Sequence, residues 1–225
     1  RPTLVFCIDT HTDFFYKKAT TSFKLAVVVV TLQCLKGRRG NAGIFRIQNM
    51  KKQIKDYVVR SNERLSDSYS LLKLQPADGS AIIDTCAGQF VEVEVPDSKS
   101  TFLRRPISIN FVDRDRNELW LLVRVAGEGT RHLVALAEGR VLSLVLPLGK
   151  GFSIPADTAS KVLLAGGGVG VAPMLYLGSE LKKRGFEVAF LLGARSKDDL
   201  LELEEFEKIG SVYVSTDDGS MGEHG

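Results

Sequence analysis

Between residues 53 and 146 the apolar positions fall in short runs, several of them alternating with polar residues as half-buried strands do. Residues 53–61, 69–74, 89–95, 103–111, 118–125 and 141–146 are rich in Val, Ile, Leu and aromatics. The stretches between them, "SNERLSD", "PADGS", "PDSKS" and "DRDRN", have turn compositions. "TRHLVALAEG" alone interrupts the series as a short helix, closed by Gly139. Strands at this spacing predict a small antiparallel barrel or sandwich.

After "GFSIPADTASK" the pattern changes. "KVLLAGGGVG" reads as a strand entering a glycine turn, and "APMLYLGSELKKRG" as a helix with Pro173 in its first turn and Gly185 past its end. "FEVAFLLGAR" is a second strand, "KDDLLELEEFEKIG" a second helix and "SVYVST" a third strand. Strand, helix, strand, helix, strand predicts a parallel βαβ domain. The fold class expected is therefore a β barrel followed by an α/β nucleotide-binding domain. Three strands are fewer than the five or six of a full doubly wound domain, so this domain is expected to be incomplete at its carboxyl end. The boundaries expected are an extension of unclear status at 1–49, the barrel at 50–155 and the α/β domain at 156–225. Met50, followed by lysines and then alternation, is expected to be a natural start.

Composition narrows the classes little. Apolar residues make up 44% and charged residues 25%, an ordinary globular balance. A net charge of +3 with no basic, aromatic-interleaved stretch argues against nucleic acid. The longest apolar run, "LAVVVVTL" at 25–32, is too short to span a bilayer; it suits a buried strand or a signal-peptide core, and pattern alone does not separate them. Cys7, Cys34 and Cys86 are odd in number and far apart, which is neither a disulfide framework nor a metal site. Three unpaired thiols fit a cytoplasmic protein.

Three places carry chemistry. In "LRRPISIN" two arginines enter a strand through a proline, and guanidinium is the side chain best matched to phosphate oxygens. In "LLVRVAGEGTRHL" a strand leads to Gly127, Gly129 and Thr130 at a helix start, where amides and a hydroxyl meet an anion. In "AGGGVGVAP" glycines after a strand let a backbone approach a pyrophosphate at a helix amino end. It is not the GxGxxG fingerprint, because Val171 takes the third glycine position. Each place alone has a bland reading: a solvated edge, a turn, a tight strand-to-helix corner. Their order in one chain favours a dinucleotide.

On these motifs, residues 50–225 resemble the ferredoxin-reductase-like flavoproteins, and within them the electron-transfer subunits of NAD-dependent dihydroorotate dehydrogenase. "RPIS" is similar to that family's flavin motif, "LVR" and "GT" to its other FAD contacts, "GGGVGVAPM" to its pyridine-nucleotide loop and "TDDGSMGEHG" to a later segment. The resemblance implies FAD contacts at Arg105, Pro106, Ile107, Ser108, Leu122, Val123, Arg124, Gly129 and Thr130. Arg105 would hold the pyrophosphate, Ile107 would lie along the flavin where relatives carry an aromatic, and Ser108 would approach the ring. It implies NAD contacts at Gly166, Gly167, Gly168, Gly170, Ala172 and Pro173. It further implies hydride exchange between NAD(H) and FAD with no catalytic acid or base. A 2Fe-2S cluster in a carboxyl-terminal region not present here would carry single electrons onward. The implied partner is an FMN-containing catalytic subunit, in a heterotetramer of pyrimidine biosynthesis with no membrane or nucleic-acid role. Alternatives on the same scaffold are another ferredoxin:NAD(P) reductase-type or hydrogenase-associated diaphorase subunit. A non-enzymatic flavin or nucleotide sensor is the alternative from another class.

Overall fold

A computed structural model describes residues 3–6, 51–98, 101–154 and 161–225. The extension at 1–49, apart from the backbone of Thr3–Phe6, lies outside the described residues, and with it the apolar run at 25–32, Cys7 and Cys34.

The chain divides into two compact units. One comprises Met50–Phe152 together with Ala172–Leu177. Its strands are β2 (Gln53–Ser66), β3 (Tyr69–Pro76), β4 (Phe90–Val93), β5 (Arg105–Ser108), β6 (Phe111–Asp113), β7 (Glu118–Arg124) and β8 (Val141–Leu148), with helix α1 (Glu128–Val134) between the last two. They form an antiparallel sheet in the order β5-β4-β8-β2-β3-β7-β6. The strands at its two ends, β5 and β6, are consecutive in the chain and separated only by Ile109 and Asn110. The Ile109 amide donates to Gln89 O at 3.0 Å and the Asn110 amide to Trp120 O at 3.0 Å, so this link touches both ends of the sheet. A sheet whose edges are joined by two residues must curl, which produces the barrel.

Alternation builds its interior. Along β8, Leu142, Leu144 and Leu146 are buried while Val141, Ser143 and Val145 are not. In β2, Tyr57 and Val59 are fully buried. The stretch of β7 from Leu119 to Val123 is buried throughout, a continuous apolar run rather than an alternating one. β2 runs on to Ser66, past the expected end at 61, by absorbing register shifts between Val59 and Ser61 and between Arg64 and Ser66. The single strand expected at 103–111 is instead two, because Ile109 and Asn110 bond to different strands. The helix begins at Glu128, before Thr130, and ends at Val134; Gly139, at φ 81°, serves the following turn, where its amide reaches Val59 O.

The other unit contains β1 (Thr3–Phe6), β9 (Lys161–Gly167), β10 (Glu187–Ala194), β11 (Ser211–Thr216) and β12 (Glu223–His224), a parallel sheet in the order β1-β9-β10-β11-β12. Helix α2 (Ala172–Lys183) follows β9, and Gly185 at φ 88° ends it as the sequence predicts. The helix expected across 197–210 is broken into a 3-10 turn at Lys197–Asp199 and a short helix, α3 (Leu203–Glu207). Glu202, left-handed at φ 54°, separates them. Phe206 of α3 is fully buried and meets Phe190 of β10 at 4.8 Å between ring centroids. Among the described residues no helix is long and apolar enough to cross a membrane.

Candidate cofactor-binding site

The two arginines of "LRRPIS" do different work. Arg104 faces the barrel wall: Nη1 donates to Ser143 O at 2.5 Å, and Nη2 to Ser143 Oγ at 2.9 Å and to Glu94 Oε2 at 3.2 Å. Arg105 makes no ion pair with a described residue. Its Nε donates to Arg104 O at 3.1 Å, which fixes the plane of the guanidinium and leaves its terminal amino groups forward.

Arg105 runs alongside α1. A Cβ built on the buried Gly129 would lie 3.0 Å from Arg105 Cδ, 3.4 Å from its Cγ and 3.0 Å from Thr101 Cγ2. Only glycine leaves that space to the arginine stem. The Gly129 and Thr130 amides precede the first internal bond of the helix, from Arg131 N to Gly127 O. The sequence alone leads one to expect the Thr130 hydroxyl at an anion; in the structure it is tied to its own turn. It accepts from Ala126 N at 2.9 Å and from Gly127 N at 3.1 Å, and so holds the turn. With α1 only 7 residues long, its dipole is a minor attraction beside a full guanidinium charge.

The remaining barrel positions separate by face. On the edge strand β5, Pro106 and Ser108 are exposed while Ile107 is buried at 8% exposure. Pro106 sits opposite Glu92 of β4, the one neighbour of β5, where its missing N–H costs no ladder bond on the free side. Leu122 and Val123 are core residues, and Arg124, opposite Tyr69, is exposed at the end of β7.

At the glycine turn, Gly166 and Gly167 end β9, and Gly168–Val171 forms a single 3-10 turn before α2. Gly168 has φ 54°. A Cβ on Gly167 would come 3.1 Å from Gly193 O on the neighbouring strand. Two of the glycines therefore already have a structural reason to be glycine. Gly170 completes the turn, and Ala172 and Pro173 open α2, whose first turn has no side-chain cap.

Two further residues shape this region without any sequence motif. Asn110, fully buried, donates through Nδ2 to Ala172 O at 3.1 Å, and its own carbonyl accepts from Tyr176 N at 3.1 Å. It thus meets both members of the first i to i−4 pair of α2. Tyr176 in turn donates its hydroxyl to Thr85 O at 3.0 Å. The only signal was a lone amide residue in the apolar "ISINFV".

At the far ends of β10 and β11, Asp217 N donates to Ala194 O at 3.0 Å, Asp218 N to Arg195 O at 3.1 Å and Lys197 N to Ser220 Oγ at 2.8 Å. The Ser220 hydroxyl, then its amide, donates to Asp218 and holds that carboxyl below the usual carboxylate range. Among the described residues no cluster of His, Cys, Asp or Glu is arranged to hold a metal ion, and Cys86 is the one described cysteine.

No family model matches the chain. It is 37% identical over 177 residues to the dihydroorotate dehydrogenase B (NAD(+)) electron transfer subunit of Shouchella clausii, covering 78% of this chain and 67% of that protein. The subunit of the same name from Fusobacterium nucleatum is 35% identical over 176 residues, covering 77% and 66%. The chain spans about two thirds of the length of these curated relatives. The solved NADH-dependent reduced ferredoxin-NADP oxidoreductase superposes with a TM-score of 0.65 at 27% identity, covering 75% of this chain and 59% of that one. The ferredoxin reductase of carbazole 1,9a-dioxygenase superposes with a TM-score of 0.67 over 79% of this chain and 55% of that one. At 18% identity the second likeness speaks for the fold alone.

Proposed function

This chain belongs to the family of dihydroorotate dehydrogenase B electron transfer subunits, and on that premise we propose that it holds FAD on the barrel and accepts a hydride from NADH. The observation that carries the reading is the Arg105–Gly129 contact: an arginine without a carboxylate partner among the described residues, its stem packed against the glycine at the start of α1. A diphosphate is the group that uses both.

In this reading FAD binds within residues 50–155 and NAD(H) within residues 156–225. When bound, FAD would supply the redox chemistry, hydride exchange with the nicotinamide. The chain's own residues bind and orient. Arg105, aimed by the Arg104 carbonyl, neutralises the flavin dinucleotide's diphosphate, and Gly129 leaves it room. The exposed Ser108 offers a hydroxyl along the edge strand to a ring heteroatom, with Pro106 fixing the backbone beside it. Leu122 and Val123 support this wall from within, so their contribution is backbone placement and core packing; Arg124 offers a second cation. The glycine turn, with Gly166, Gly167, Gly168, Gly170, Ala172 and Pro173, presents backbone to the NAD diphosphate. The partner is an FMN-containing dihydroorotate dehydrogenase catalytic subunit in a heterotetramer.

The test is reconstitution of the chain with FAD. Wild type should turn yellow and bleach on anaerobic addition of NADH. Arg105→Ala should lower FAD affinity about tenfold to a hundredfold, the loss of one charge-assisted hydrogen-bonding group. Unchanged flavin content in that variant refutes the contact, and flavin that stays oxidised under NADH refutes the reductase reading.

A further inference from the structure

The link between β5 and β6 decides where the edge strand β5 ends. β5 is 4 residues long and has one sheet neighbour, β4, so its carboxyl end at Ser108 depends on what holds Ile109 and Asn110. Hydrogen bonds from two sides fix that link. From the barrel, Gln89 O accepts from Ile109 N and Trp120 O from Asn110 N, both at 3.0 Å. From α2, Tyr176 N donates to Asn110 O, and Asn110 Nδ2 donates to Ala172 O, each at 3.1 Å. The turn of α2 that makes these bonds is itself anchored. Tyr176 donates its hydroxyl to Thr85 O at 3.0 Å and meets Phe111 edge-on, with ring centroids 6.2 Å apart. Ala172–Leu177 accordingly belongs to the same compact unit as Met50–Phe152. Asn110 is fully buried in the apolar "ISINFV", where an amide costs free energy unless it is bonded. The reason for an amide there is the bond it makes to α2.

We propose that Asn110 is a positioning residue for the flavin: by tying the end of β5 to the first turn of α2, it aims the Ser108 hydroxyl at the isoalloxazine ring. The inference rests on the reading of Ser108 as a flavin contact. The Ser108 side chain is exposed, so main-chain placement rather than packing directs its hydroxyl. That placement is set just beyond it, at Asn110, which is bonded to α2 through both its main chain and its side chain. A hydrogen bond weakens steeply as its donor and acceptor fall out of line, so a small shift of this link is felt at the ring. The coupling is reciprocal: a turn of α2 that aims Ser108 at the ring is itself steadied when the ring is bound.

Two measurements on the FAD-reconstituted chain test this. The first is the midpoint potential of the bound flavin, titrated against a dye of known potential. Asn110→Ala and Ser108→Ala should shift it in the same direction, each by about 30 mV, which is a tenfold change in the ratio of affinities for reduced and oxidised FAD. The double variant should shift it no further than Ser108→Ala alone, because Asn110 acts through Ser108. A residue that only held the fold together would lower the urea midpoint and leave the potential where it was. The second measurement needs no Asn110 variant to fold: amide hydrogen exchange with and without FAD. In wild type FAD should slow exchange at the Tyr176 amide about tenfold, and Ser108→Ala should remove most of that slowing. An unmoved potential in either single variant, additive shifts in the double variant, or slowing at Tyr176 that survives Ser108→Ala overturns the inference while leaving FAD on the barrel. A chain that takes up no FAD overturns both.

Discussion

The stem of Arg105 occupies the space that a side chain on Gly129 would need, with Cδ 3.0 Å from the position of that missing Cβ. A strand-borne cation and a helix-borne glycine, far apart in sequence, are thereby one structural unit. Gly129→Ala should push Arg105 and Thr101 aside and weaken FAD binding about tenfold, with little loss of thermal stability. Flavin-to-protein absorbance ratios measure it; full occupancy in the alanine variant would show that the arginine is not held by this contact.

Arg104 and Arg105 should separate by readout. Arg104→Ala removes bonds to Ser143 and Glu94 that tie the loop before β5 to the barrel wall, and should cost about 1 kcal/mol of stability. The Arg104 carbonyl that orients Arg105 survives the substitution, so flavin content should stay near wild type. Urea midpoints and flavin ratios on both variants decide it, and a reversed pattern would mean the roles are exchanged.

Asn110→Ala leaves the buried Ala172 carbonyl without its side-chain donor. About 1–3 kcal/mol of stability should be lost, the cost of an unmet buried polar group. The backbone bond from Tyr176 to residue 110 remains, so the fold should persist. Denaturant titration gives the loss; a change below about 0.5 kcal/mol would place the amide outside the energetics of α2.

Burial pushes the Tyr57 hydroxyl up to about 12, from 10.0. Below the lower value the phenol is protonated in folded and unfolded chains alike, and its contribution does not vary with pH. Between the two values the unfolded chain releases the proton first, so stability falls as pH rises, by about 3 kcal/mol across the window. Tyr57→Phe should remove that part of the alkaline slope, seen by comparing urea midpoints at about pH 9 and about pH 11. An identical slope in both proteins would assign alkaline unfolding to other groups.

The local grammar of the chain was open to reading from its residues. Alternation along β8, the glycine turn after β9 and Gly185 past α2 each depend on neighbours within a few positions, and each is where the pattern puts it. The arginine strand and the glycine helix start also lie where the pattern puts them, at β5 and α1. What no local pattern contained was which of two adjacent arginines is spent on the barrel wall, or that Thr130 turns inward to hold its own loop. The split of 103–111 into two strands also had no local cause, since Ile109 and Asn110 bond to different strands outside the segment. Asn110 and Tyr176 show the limit most plainly: a lone amide and a helical tyrosine acquire meaning only when folding sets them against each other and against Thr85. Periodicity is a property of the chain, but hydrogen-bond partnership is a property of the pair, and only the folded protein forms the pair.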